Sequence, residues 1–255
     1  MRTNETFLAS PRSAPLVLPG RNKSQYKRKN DYHHIAGWST TLSSYDARVK
    51  IGIWGSQGQR HSQESEASMY IYNSDQDESS INLIQAGFHV LPNLYKNNDV
   101  HFFIRWTTTT NQCAVIILEC PSFVPASGAA LVPGQAVAPP STYDRDDRYI
   151  TISLHTLCPK LYGIAPGVGW IGFVYYQDRD QGGPAMGSGH FPKEGQRKEA
   201  YFKNIKLFDS KANVYDPSAL ARIVSAPRCY KVSEVLHARK DGYMFYYGGP
   251  AGCMG

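Results

Sequence analysis

The sequence predicts a mostly-β protein, most simply an antiparallel β-sandwich, and three observations carry that prediction. With 17 Tyr, 22 Gly and 16 Pro in 255 residues, the composition favours strands and turns. About ten short apolar or alternating runs recur with turn residues between them, the spacing of a sandwich. Helical periodicity over ten or more residues is absent, and only DPSALARIV (216–224) suggests a short helix. Hydrophobic content of 42% is ample for a core.

Taken in order, the strand-like runs are 33–40, 48–54, 67–73, 81–90, 100–109, 113–119, 148–155, 168–177, 200–208 and 242–249. Residues 81–90, INLIQAGFHV, alternate cleanly. Ile84, Ala86, Phe88 and Val90 share one face, and Leu83, Gln85, Gly87 and His89 share the other. Residues 1–30 are polar and basic and read as a disordered leader before a single domain spanning 31–255.

The formal net charge is +6, with Arg21, Lys23, Lys27, Arg28 and Lys29 clustered in that leader. No aromatic-interleaved basic patch follows, so the expectation is no nucleic-acid partner. No apolar run reaches 18 residues, so no membrane span is expected, and the N-terminus does not read as a secretory signal. Five cysteines fit either two disulfides with a spare thiol, or five thiols in a reducing compartment. They lack zinc-ligand spacing, so neither metal nor cofactor is expected.

No nucleophile elbow or P-loop is present, and MGSGH (186–190) reads as a turn that could place His190 at a groove edge. The acids cluster in loop-like segments such as Asp75–Glu78, Asp144–Asp147 and Asp178–Asp180, and none is expected on the strand face of Gln85.

Several segments together resemble the neprosin family. SINLIQAGFHVLPNLY (80–95), HFFIRWTT (101–108), ECPSFVPASGAAL (119–131), MGSGHFPKEGQRKEAYFKNI (186–205), Cys229-Tyr230 and FYYGGPAGC (245–253) follow the family's motifs in order. The resemblance implies a β-sandwich with a concave groove. It also implies a secreted glutamic endopeptidase, plant-rich, acid-active and proline-directed, with peptide or protein, including proline-rich chains, as substrate or ligand. Two glutamates would face each other across the groove.

At the positions matching those glutamates this chain has Gln85 and Phe173. An amide can still donate to an oxyanion, and one group of glutamic peptidases uses a Gln–Glu dyad, but a phenyl ring replaces the second acid. A tryptophan-rich pair of family strands is also missing between residues 155 and 157. The resemblance places His89, Trp106, Trp170, Tyr175 and His190 at the groove and pairs Cys113 with Cys120 and Cys229 with Cys253. The expectation is a catalytically impaired domain that keeps the groove. The alternatives are a peptidase using Gln85 with an acid still to be identified, and an extracellular binding module.

Overall fold

The computed structural model describes residues 31–42, 44–56, 58–74, 81–107, 112–113, 124–137, 139–155, 167–195 and 197–255. The leader at 1–30, Cys120, Cys158 and the junction near 155–157 from residue 156 onward lie outside the described residues.

Two antiparallel sheets pack face to face. The first runs β11 (Leu220–Val224), β1 (Asp31–Thr40), β8 (Gly167–Gln177), β3 (Glu64–Ser74), β4 (Ile81–Val90), β5 (His101–Thr107) and β6 (Gln112–Cys113). The second runs β12 (Lys231–Val232), β14 (Gly242–Gly248), β9 (Ala200–Phe208), β2 (Asp46–Gly52) and β7 (Tyr149–His155), with β10 (Val214–Tyr215) on β9 and β13 (Leu236–Ala238) on β14. The sandwich expected from the alternation is therefore what the chain forms.

The core lies between the sheets, where the inward-facing side chains of one meet those of the other. Ala36, Trp38, Met69, Ile71, Phe88, Val168, Trp170 and Val174 come from the first sheet. Val49, Ile51, Phe202, Leu207, Phe245 and Tyr247 come from the second. Ala86, Phe88 and Val90 are buried there as the alternation of INLIQAGFHV requires, while Ile84 near the strand's start stays 40% exposed.

Residues 216–224 correct the helix expectation. Leu220–Val224 form an edge strand whose residues pair with Ala36–Thr40 of β1, because the hydrogen bonds of a sheet edge outweigh a weak local helix signal. The MGSGH segment is a turn, as read. Met186 and Gly249 exchange backbone hydrogen bonds of 3.1 and 3.2 Å, joining that turn to the Gly-Gly-Pro segment. A Cβ on Gly249 would collide with the Cys229 carbonyl, so only glycine lets the chain pass beside the Cys229–Cys253 disulfide.

Close approach also fixes Gly87, which lies between Gln85 and His89 on one face of β4. A Cβ there would strike the Ala67 carbonyl oxygen and come within 2.7 Å of Ser68 Cα. Both are backbone atoms of a central strand that cannot yield cheaply. Gly87→Ala is therefore expected to destabilise the fold by about 1–3 kcal/mol, seen as a lowered midpoint in thermal or urea unfolding.

Candidate active site

The second face of the first sheet carries the polar residues. Ladder pairings set Glu66 opposite His89, Ser68 opposite Gly87, and Tyr70 opposite Gln85 between β3 and β4. On the other side of β4, Gln85 faces Arg105 and Gly87 faces Phe103 in β5. On the other side of β3, Glu66 pairs with Phe173 of β8. Side chains in register on neighbouring strands stand about 5 Å apart, so this pairing places Glu64, Glu66, Ser68, Gln85, His89 and Arg105 in one patch.

Hydrogen bonds close the patch. Gln85 Nε2 donates to Glu66 Oε1 at 2.5 Å and to Ser68 Oγ at 2.8 Å, and Ser68 Oγ donates to Glu66 Oε1 at 2.6 Å. Gln85 Oε1 accepts from Arg105 Nη1 at 3.1 Å. The same guanidinium places Nη2 3.7 Å from Glu66 Oε2 and 4.0 Å from Glu64 Oε1. His89 Nδ1 lies 3.2 Å from Glu64 Oε1, and Nε2 lies 3.1 Å from the Tyr95 hydroxyl on α1 (Pro92–Tyr95), the short turn that follows β4.

These contacts split the two carboxyls electrostatically. Burial pushes the Glu66 pKa up to about 7, reinforced by the Glu64 charge and opposed by Arg105 and the Ser68 hydrogen bond. Burial acts on Glu64 in the same direction, but His89 and Arg105 outweigh it and hold Glu64 below the usual carboxylate range. Burial lowers the His89 pKa, so a neutral imidazole giving its Nδ1 hydrogen to Glu64 and accepting from Tyr95 satisfies both neighbours. Between the usual carboxylate range and about pH 7 the patch thus holds one ionised and one protonated carboxyl, the division of labour on which acid–base hydrolysis relies.

Among the positions expected from sequence, Gln85 and Phe173 do lie on one face. Phe173 packs with Ile35, Tyr70, Leu83 and Ile171, and Tyr175 packs against that group. His89 also lies on that face. Trp170 is corrected: three residues from Phe173, it points the opposite way and is wholly buried in the core between the sheets. The His190 imidazole pairs with Glu194 at 2.8 Å and stacks on Tyr143 at 4.3 Å. The Trp106 side chain lies outside the described residues; its backbone pairs with Ile84, out of phase with Gln85. Cys229–Cys253 form a disulfide with Cα atoms 5.5 Å apart, whereas the Cys113–Cys120 pairing lies outside the described residues.

The Gln85 and Glu66 side chains are themselves buried, 0% and 4% exposed. A small cleft lined by Gln59, Arg60, Gln63, Asp180, Gly182 and Gly252 includes none of the patch. Among the described residues, no group of three His, Cys, Asp or Glu side chains is arranged to hold a metal ion.

Glu64, Glu66 and Arg105 are the site residues that sequence reasoning missed. The signal was present in QESEASMYIY (63–72), where Glu64, Glu66, Ser68 and Tyr70 alternate with Ser65, Ala67, Met69 and Ile71. Starting that strand at residue 67 cut the two acids off from it.

The family model for neprosin matches residues 61–160 and 155–250. The chain belongs to the neprosin family. The two matched segments overlap at residues 155–160. A crystal structure of Scytalido-glutamic peptidase with a peptide based transition state analog aligns at 9% identity and a TM-score of 0.38, covering 86% of this chain and 99% of that one. A likeness of that size carries no argument. Within this neprosin-family fold Glu66 is the direct ladder partner of Phe173.

The raised Glu66 pKa has a consequence for stability. Between its ordinary 4.5 and about 7, the folded protein keeps a proton that the unfolded chain has released. The stabilisation is full below about 4.5 and is lost as pH rises through about 7. Glu66→Gln removes that titration, so its melting temperature should exceed that of the parent at pH 8 and the gap should narrow at pH 5. Each kcal/mol corresponds to about 2–4 °C in a domain of this size.

Proposed function

We propose that this neprosin-family chain is a glutamic-type endopeptidase acting on proline-containing peptides, with Glu66 as its acid–base group and Gln85 as the residue that positions it. The observation that carries this reading is the 2.5 Å contact between Gln85 Nε2 and Glu66 Oε1. In the reaction the Glu66 carboxylate takes a proton from water as the water oxygen adds to the scissile carbonyl. It then returns that proton to the departing amine nitrogen. Because Gln85 has both amide hydrogens engaged by Glu66 and Ser68, its part is to fix the carboxyl rather than to meet the substrate.

A base near pKa 7 is suited to neutral pH, so the reading departs from the acid optimum that the resemblance implies. The partly buried Tyr175 ring, packed against Phe173's cluster on this face, supports a preference for proline, whose polyproline II surface packs on aromatic faces. The Cys229–Cys253 disulfide supports an oxidising, extracellular setting.

One observation favours a second reading, a domain without turnover: both partners are closed from solvent and hydrogen-bonded to each other. A proline-containing reporter peptide assayed from pH 4 to 9 separates the two. Turnover should rise through about pH 7, and Glu66→Gln should reduce it by about 10²-fold or more. Absence of turnover at every pH, from a protein that unfolds cooperatively, would establish the second reading.

A further inference from the structure

Three polar atoms in the patch are buried without a hydrogen-bond partner among the described residues: Glu66 Oε2, Arg105 Nε and Arg105 Nη2. Two are donors on one guanidinium, the third is an acceptor, and Nη2 lies 3.7 Å from Glu66 Oε2. Buried groups left so are costly, the more so when charged, and a cluster of them calls for an occupant that meets their needs. The unmet needs are specific: an oxygen that accepts from Arg105, beside an O–H that donates to Glu66.

Resting on the Glu66 reading above, we infer that Arg105 is the oxyanion donor of this site. When water adds to the scissile carbonyl, its oxygen bonds to the carbonyl carbon and its proton passes to Glu66 Oε2. The carbonyl π pair moves onto oxygen, which Arg105 Nε and Nη2 then hold. Collapse re-forms the carbonyl, breaks the carbon–nitrogen bond and carries the proton from Glu66 to the amine. In the ground state the attacking water and the planar carbonyl meet both needs, but only in the tetrahedral adduct does the oxygen facing Arg105 carry a full negative charge. Arg105 therefore binds the adduct more strongly than the substrate, which is what lowers a barrier. Its Nη1 bond to Gln85 and the flanking Glu64 carboxylate keep the fork aimed before substrate arrives.

The test compares the parent protein with Arg105→Gln and Arg105→Lys, the second retaining the buried positive charge so that the fold is kept. A proline-containing peptide aldehyde, whose hydrate mimics the adduct, is titrated by calorimetry beside a non-hydrolysable N-methyl amide peptide. Arg105→Gln is expected to lower kcat by about 10²-fold with KM unchanged and to weaken aldehyde binding by a similar factor. The N-methyl amide should bind all three proteins alike, and Arg105→Lys should lose at least about tenfold in kcat and aldehyde affinity. If Arg105→Lys folds and matches the parent in both, the inference is overturned while the Glu66 reading stands. If Glu66→Gln cleaves as fast as the parent, the Glu66 reading fails and the inference fails with it.

Discussion

The bond between Gln85 and Glu66 governs this face of the molecule. It joins strands that are neighbours in the sheet but 19 residues apart in sequence. It exists because three strands hold a fixed register: β4 brings the amide, β3 the carboxyl and β5 the guanidinium. A one-residue slip would send all three side chains to the core side. Gly87 and Ser68 set how closely β3 and β4 meet at that point. The whole sandwich beneath, including Trp170 and Tyr247, acts as the rigid floor.

Burial gives the pair its chemical character and also its cost. A carboxyl in water would ionise near 4.5, and one against an amide, a serine and an arginine in a dry patch does so near 7. Holding two glutamates and an arginine out of water costs energy that well-packed apolar residues would avoid. Phe173 illustrates the contrast, since the adjoining strand fills the same face with a ring at no electrostatic cost. That apolar cluster crosses β3 at Tyr70 and reaches Leu83 of β4, and the charged patch begins beside it on the same strands.

Much of the architecture was legible in the sequence. Residues 81–90 and 200–208 read as strands with the bounds the structure has, because period-two alternation registers burial directly. The site was less legible for reasons that are equally physical. Trp170 and Phe173 are an odd number of residues apart on one strand, so they cannot share a face, a constraint visible in the numbering itself. Glu64 and Glu66 extend the alternation of β3, but charged residues at a strand's start are easily read as loop. The edge strand at 220–224 was hidden because its partner, β1, lies some 180 residues earlier in the chain, and no local signal reports it.

The ladder pairing of Glu66 with Phe173 also bears on how a motif should be read. A motif is a row of letters, and read that way residue 173 offers a phenyl ring and no acid. A sheet is a two-dimensional lattice in which the cell beside Phe173 belongs to a segment more than a hundred residues earlier. Functional groups can migrate sideways across such a lattice while the row that once held them falls silent. In β proteins, therefore, a vanished catalytic letter is grounds to search the adjoining strands before declaring the chemistry extinct.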